Sequence, residues 1–430
     1  MSKVDMHIKV EHITRLEGHG NIVLDTENGE IQQLELDIVE APRLFEAMLQ
    51  GHRWDEVHHI ACRICGICSV SHTSASLRAT EAAMDIPISE QTLKLRKLIF
   101  HGEMIQSHVL HVYLLAAPDF LGVGSVFPLI QTHKDVVLRA MRMKKLANDI
   151  SHVVGGRHVH PISLIPGGFA ALPGESGLVQ LRERLEACKA DVEATVDLVT
   201  TLEIPDFERE TEYISLAMPG EYAFYEGIIC SSDAGPVPVE YYRNVTNEFV
   251  VPHSTAKHAR WHRSSYMVGA LARVNNNYAM LHPKAKAAVE AMGLRVPCTN
   301  PFMNNVAQVV ETVHCVWDAV AILDDLLAKG VQQEEFRVEP KAGRGIGVVE
   351  APRGILFHEY EYGDDGRIVR ANCIIPTAQN MENIEDDMRA LVPQILDRPQ
   401  DEVRQTLEML VRAYDPCISC SVHFLNVTFI

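Results

Sequence analysis

Basic residues are scarce in this sequence, and nowhere do they form a run. Its 430 residues hold 39 Lys and Arg against 57 Asp and Glu, a formal charge of −18. Phosphate backbones and anionic lipids therefore meet no complementary field, and nucleic acid is not an expected partner. Also missing are an uninterrupted apolar stretch of about 18 residues and a basic N-terminal segment leading into an apolar one. These absences predict a soluble, cytoplasmic chain with no membrane association. There is no Gly-x-Gly-x-x-Gly fingerprint, so dinucleotide binding is not expected here. The 10 cysteines are spread too thinly for a disulfide framework, which fits a reducing compartment. Internal repeats and low-complexity linkers are absent as well.

What is present is a chain that is 47% hydrophobic, enough to bury a large core. The first forty residues alternate apolar and polar, with Asn28-Gly29 as a hairpin turn. Helical spacing follows over 69–84, 92–117, 128–153, 178–203, 303–329 and 400–413. Gly155-Gly156 and Gly330 stand where helices end. Strand patterning returns between 345 and 376, with Asp365-Gly366 joining Ile355–Tyr362 to Ile368–Ile375. The expected fold is α+β and predominantly helical, a central bundle with small antiparallel sheets from the two ends.

Two Cys-x-x-Cys pairs mark those ends, Cys65 and Cys68 in Arg63-Ile64-Cys65-Gly66-Ile67-Cys68, and Cys417 and Cys420 in Asp415-Pro416-Cys417-Ile418-Ser419-Cys420. Spacing i, i+3 puts both sulfurs of a pair on one side of a turn. Four thiolates at one point make a soft site for nickel, iron or zinc. Closing a loop of roughly 350 residues costs about 5 kcal/mol, while a structural metal contributes about 10–16 kcal/mol. A four-cysteine zinc knot is one reading, although such knots tie short segments together.

With their flanks, the pairs resemble those of nickel-iron hydrogenase large subunits, over essentially the whole chain. The shared motifs include His72 after the first pair, His423 after the second, and Arg15-Leu16-Glu17-Gly18-His19. They continue with Gly156-Arg157-His158-Val159-His160-Pro161, Val268-Gly269-Ala270-Leu271-Ala272-Arg273, Glu350-Ala351-Pro352-Arg353-Gly354 and Pro376-Thr377-Ala378-Gln379-Asn380. The resemblance implies reversible heterolytic cleavage of H2. Nickel would sit on Cys65, Cys68, Cys417 and Cys420, with Cys68 and Cys420 bridging to an iron carrying carbon monoxide and cyanide, Fe(CN)2(CO).

The same resemblance gives Glu17, Arg353 and Cys417 itself as groups acting on the proton. Asp119 and Asp415 would fix the Arg353 fork by charge-assisted hydrogen bonds. His72 would donate to a bridging sulfur, Thr377 would reach a cyanide, and Pro352 would shape the carbon monoxide pocket. A magnesium ion would take Glu46, the Cys373 carbonyl and His423. Taken alone, Glu17 reads as a solvated carboxylate. His101, His108, His111, His152, His158 and His160 are read as ordinary histidines rather than ligands, the first three on a core helix.

The chain has no third cysteine cluster, so electrons must leave through partners. The resemblance implies a small subunit bearing iron-sulfur clusters, flavin-containing diaphorase subunits, and NAD(P) as acceptor, as in soluble bidirectional hydrogenases and sulfhydrogenases. Deazaflavin- or heterodisulfide-reductase-linked hydrogenases and hydrogen-sensing regulators are the alternatives. Outside the class stands the large subunit of quinone oxidoreductases, which has no need of the four cysteines. Residues 1–423 are expected to form one domain. The tail at 424–430, Phe-Leu-Asn-Val-Thr-Phe-Ile, is expected to be removed by a maturation endopeptidase.

Overall fold

The alternating N-terminal segment forms three antiparallel strands, Met6–Val10, Gly20–Glu27 and Glu30–Ile38, in chain order. Asn28 and Gly29 both take positive φ, 53° and 76°, the geometry of a tight hairpin turn. The structure, a computed structural model, describes residues 5–334 and 338–422.

Four long helices make the centre. Glu90–Val109 packs on Lys134–Gly155, which meets Glu175–Val199, which meets Asn304–Lys329, which returns to Glu90–Val109. Ser89 begins the first of them, its hydroxyl accepting from Thr92 N at 2.9 Å, and Gly156 ends the second at φ 80°. The expected helix over 92–117 is not uniform. After Val109 it widens into a π-helix, Leu110–Ala116, directly before Pro118, which has no N–H to continue the ladder. Pro301–Lys329 has the length and composition of a membrane span, yet 78% of its most apolar window is buried within this fold.

The C-terminal sheet comprises Gly343–Ala351, Gly354–Tyr362 and Ile368–Ile374. Gly343, Gly345 and Gly347 point one edge of the first strand at the Ser69–Met84 helix. Cβ atoms there would fall 2.1, 2.0 and 1.9 Å from the carbonyl oxygens of Ala83, Ala79 and Ala75. Glycine at period two thus faces alanine at period four, and strand and helix touch backbone to backbone.

Two features depart from expectation. The middle of the chain holds a four-stranded sheet, ordered Gly235–Val237, Ile228–Ser231, Glu212–Ala217, Tyr266–Met267, its last pair parallel. Sheets are therefore neither confined to the ends nor wholly antiparallel. The Glu212–Ala217 strand is buried almost throughout, so it carries no alternation to read. The helix Pro376–Ile395 also went unread, because its buried side includes Gln379, Asn380, Asn383, Glu385 and Asp387, which masks the apolar stripe. One apolar core runs from Met6 to Val422, and a second, smaller cluster lies beneath the middle sheet.

Candidate metal centre

Each cysteine pair leads into a helix. Cys68 precedes Ser69–Met84 and Cys417 precedes the short Ile418–Ser421 helix. Cys68 N donates to Cys65 Sγ at 3.2 Å. All four Sγ atoms lie within 4.8 Å of one another, with Cys65 and Cys417 3.7 Å apart and Cys417 and Cys420 2.7 Å apart. None of the four residues is more than 5% exposed. Hydrogen bonds from Cys417, Cys420 and Cys68, helped by the Arg353 charge, hold Cys65 well below the usual thiol range. The same proximity to Cys420, Cys65 and Cys68 drives Cys417 well above it. Four thiols this close cannot all ionise unless a cation replaces their protons.

Arg43 binds the two loops together: its Nη1 donates to Ile64 O at 2.8 Å and Ser419 O at 3.3 Å, and its backbone N to Val422 O at 2.6 Å. Sequence reasoning missed this residue. Glu17 pairs with the second loop like a strand, its carbonyl accepting from Ile418 N at 2.9 Å. Its Oε2 accepts from Cys417 Sγ at 3.2 Å and from Ser419 N at 3.1 Å. Gly18, at φ 88°, lets this contact form, since a Cβ there would lie 2.6 Å from Ile418 Cβ.

Arg353 sits at the turn between two strands of the C-terminal sheet. Its Nε donates to Asp415 O at 2.7 Å and Nη2 to Asp415 Oδ1 at 2.9 Å. Burial opposes its charge, but Asp415 and the neighbouring sulfurs of Cys417, Cys68 and Cys65 outweigh it and keep the guanidinium protonated. Its buried Nη1 has no hydrogen-bond partner. Asp119, expected on the same fork, does not meet it. Arg412 takes Asp119 through Nε at 2.7 Å and Nη2 at 2.9 Å, and Arg15 takes Oδ1 as well. Arg412 lies three residues before Asp415, so Asp119 reaches the second cysteine loop only at one remove.

The turn that carries Arg353 is locked from behind. Arg273 gives Nε and Nη2 to Glu311 at 2.6 and 2.7 Å, Nη1 to Glu350 at 2.9 Å, and reaches the carbonyls of Ala351 and Pro352, each at 2.9 Å. Pro352 is thereby fixed and buried. Val268 is clasped by Asn380, N to Oδ1 at 2.8 Å and Nδ2 to O at 3.1 Å. Motifs far apart in the chain thus meet around one turn. Thr377, at the start of the same helix as Asn380, accepts from Cys417 N at 3.0 Å, which leaves its hydroxyl hydrogen to donate.

His72 N donates to Cys68 O at 3.1 Å, and its Nδ1 lies 3.1 Å from His358 Nε2. Glu103 is a second miss. Its carboxylate caps the Ser69–Met84 helix, accepting from Val70 N at 2.6 Å, Ser71 N at 2.9 Å and Ser71 Oγ, while burial pushes it up to about 8. No local signal marks it, because a glutamate on a buried helix face looks like any other. Of the expected magnesium ligands, Glu46 and Cys373 are both buried. Burial, then the Glu46 charge, push the Cys373 thiol well up. His423 and the 424–430 tail lie outside the described residues. His101, His108 and His111 are engaged by Asp318 at 2.7 Å, Glu311 at 2.8 Å and Gln308 at 2.6 Å, as core histidines are.

Four convergent buried sulfurs, a buried arginine with a spare donor and a half-buried carboxylate on one sulfur define a site suited to a thiolate-ligated redox metal. Comparison with known proteins agrees. A model of the nickel-dependent hydrogenase family matches residues 43–132 and 221–423. The alpha chain of sulfhydrogenase 1 from Pyrococcus furiosus is 36% identical over 429 residues, covering 99% of this chain and 100% of that one. The F420-non-reducing hydrogenase vhu of Methanocaldococcus jannaschii has a chain that is 34% identical, covering 88% and 96%. The solved NAD+-reducing [NiFe]-hydrogenase in its H2-reduced state superposes with a TM-score of 0.87 at 26% identity, covering 97% and 99%. The chain belongs to the nickel-dependent hydrogenase family, as a catalytic subunit whose four cysteines are positioned for the metal.

Proposed function

We propose that this chain is the H2-activating subunit of a cytoplasmic hydrogenase that exchanges electrons with NAD(P) through flavin-containing diaphorase subunits and an iron-sulfur small subunit. The observation that carries the reading is the convergence of Cys65, Cys68, Cys417 and Cys420 within 4.8 Å, which fits a soft redox metal. The likeness to the NAD+-reducing hydrogenase, over 97% of this chain, favours NAD(P) as acceptor. The 34% identity to the F420-non-reducing hydrogenase supports a second reading, in which another carrier takes the electrons. In either case residues 1–423 act as one domain, and 424–430 are removed on maturation.

When bound, nickel and an iron bearing carbon monoxide and cyanide supply the redox centre at which H2 is split heterolytically. The residues of the chain supply the rest. Cys417, as one of the residues that would hold the metal, would pass a proton from Sγ across 3.2 Å to Glu17 Oε2. Asp415 holds the Arg353 plane so that Nη1, its unpartnered donor, extends a fixed positive charge over the site. Thr377, whose Oγ1 accepts from Cys417 N, would have its hydroxyl hydrogen to donate to a cyanide nitrogen, and the buried Pro352 would help keep water from the carbon monoxide. His72, its Nδ1 3.1 Å from His358 Nε2, would support a cysteine sulfur of the centre by a hydrogen bond. Glu46 and Cys373, both buried, would with His423 hold a magnesium ion.

The test is the infrared spectrum of the anaerobically co-purified complex, since metal-bound carbon monoxide and cyanide absorb where no protein group does. Both signals are expected in the wild type, and Cys417→Ala should lose nickel and H2 oxidation together. Tail-processed protein without these signals, or a Cys417→Ala variant that still oxidises H2, overturns the reading.

A further inference from the structure

Far along the Pro376–Ile395 helix from Thr377 lies a second cluster of metal-ligating groups. A nitrogen of His253, a nitrogen of His258 and a carboxylate oxygen of Glu385 fall within 4.8 Å of one another. We propose that His253, His258 and Glu385 bind a divalent transition metal, with Zn2+ as its representative, separate from the four-cysteine centre.

The donors come from elements that are already fixed. His253 lies within, and His258 at the end of, a loop closed by paired backbone bonds between Phe249 and His258, both 2.9 Å, and tied to the N-terminal sheet by Thr255 N to Ile38 O at 3.0 Å. Glu385 accepts from Leu36 N at 3.0 Å. Sheet, loop and helix therefore hold the ligands in place before any ion arrives.

The protonation pattern suits a metal. The His258 side chain is fully buried, and its Nδ1 lies 2.7 Å from Glu382 Oε2. With Nδ1–H donated to that carboxylate, Nε2 carries a lone pair, and it has no hydrogen-bond partner. A buried acceptor left bare is costly, and a carboxylate behind a histidine is the usual support of a metal ligand. His253 Nε2 lies 2.8 Å from Glu385 Oε1, and its Nδ1 lies 3.9 Å from Glu35 Oε1. On metal binding at Nε2, the shared proton moves to Nδ1 and faces Glu35, so charge and protons balance.

Glu35, Glu382 and Glu385 bring three carboxylates to the two imidazoles, and Arg389, 3.2 Å from Glu385 Oε2, also pairs with Asp386. The excess negative charge matches a divalent ion. Two imidazoles and one carboxylate favour zinc over magnesium, with water free to complete a tetrahedron. A groove of about 360 Å³, lined by residues that include Glu35, His253 and Arg389, gives access from solvent.

The experiment uses the holo-complex, stripped of loose metal with a chelator and equilibrated with Zn2+. Zinc, nickel and iron are then counted by mass spectrometry. One zinc per chain above the chelated baseline is expected, lost in His253→Ala, with nickel, iron and H2 oxidation unchanged. Glu382→Gln should weaken zinc binding about 10–100-fold. Equal zinc uptake by wild type and His253→Ala overturns the proposal. If that variant does not accumulate, Co2+ added to the wild-type complex decides. A visible spectrum of tetrahedral nitrogen and oxygen ligation, displaced by Zn2+, supports the site, and its absence refutes it.

Discussion

Glu17 meets the centre through a single carboxylate oxygen that serves both Cys417 Sγ and Ser419 N. Glutamine at this position keeps an oxygen for Ser419 but cannot take a proton. Glu17→Gln should therefore retain nickel and iron while losing H2 oxidation with a dye acceptor by about 10²–10⁴-fold. Undiminished oxidation would mean that the proton leaves elsewhere. At this scale much of the site was legible, because a ligand's chemistry resides in its residue type and each cysteine pair is a local pattern. The partners of Arg353 were only half legible. Asp415 meets it as expected, whereas Asp119 is claimed by Arg412 and Arg15, a choice among arginines that sequence spacing cannot make. Glu103 and Arg43 were not legible, since each acts on backbone groups brought near by folding.

The Ser69–Met84 helix begins at Cys68 and carries His72, and it is seated on the Gly343–Ala351 strand by glycine against alanine. A methyl group at Gly347 would sit 1.9 Å from Ala75 O and 2.6 Å from Ala79 N, backbone atoms that can yield only if the whole helix moves. Gly347→Ala should destabilise the chain by about 1–3 kcal/mol, read as a lower unfolding temperature, and should reduce nickel content by shifting Cys68. An unchanged unfolding temperature would show that the helix has more room than this contact allows. Hairpins at Asn28-Gly29 and Asp365-Gly366 and most of the long helices were readable from periodicity and turn residues. The Glu212–Ala217 strand of the middle sheet was not, because burial on both faces removes the polar half of the pattern, and the π-helix at Leu110–Ala116 was not, because its apolar run reads the same at α or π spacing.

Across the whole molecule, the centre closes a separation of 352 residues between Cys65 and Cys417. The second loop is gripped by Glu17 and Arg43, whose backbone N holds Val422 O at 2.6 Å. Intact-mass measurement of the active complex should find this chain ending at His423, and active material retaining residues 424–430 would refute the maturation reading. By itself the sequence determined the metal's donor atoms, the order of the motifs and the helical periods, since these depend on residue chemistry and on spacing over a few positions. Only the tertiary structure decided which motifs meet, that Arg273 braces the Arg353 turn, and that His253, His258 and Glu385 converge. Those outcomes depend on burial and on contacts between segments hundreds of residues apart, where local pattern carries no information about distance.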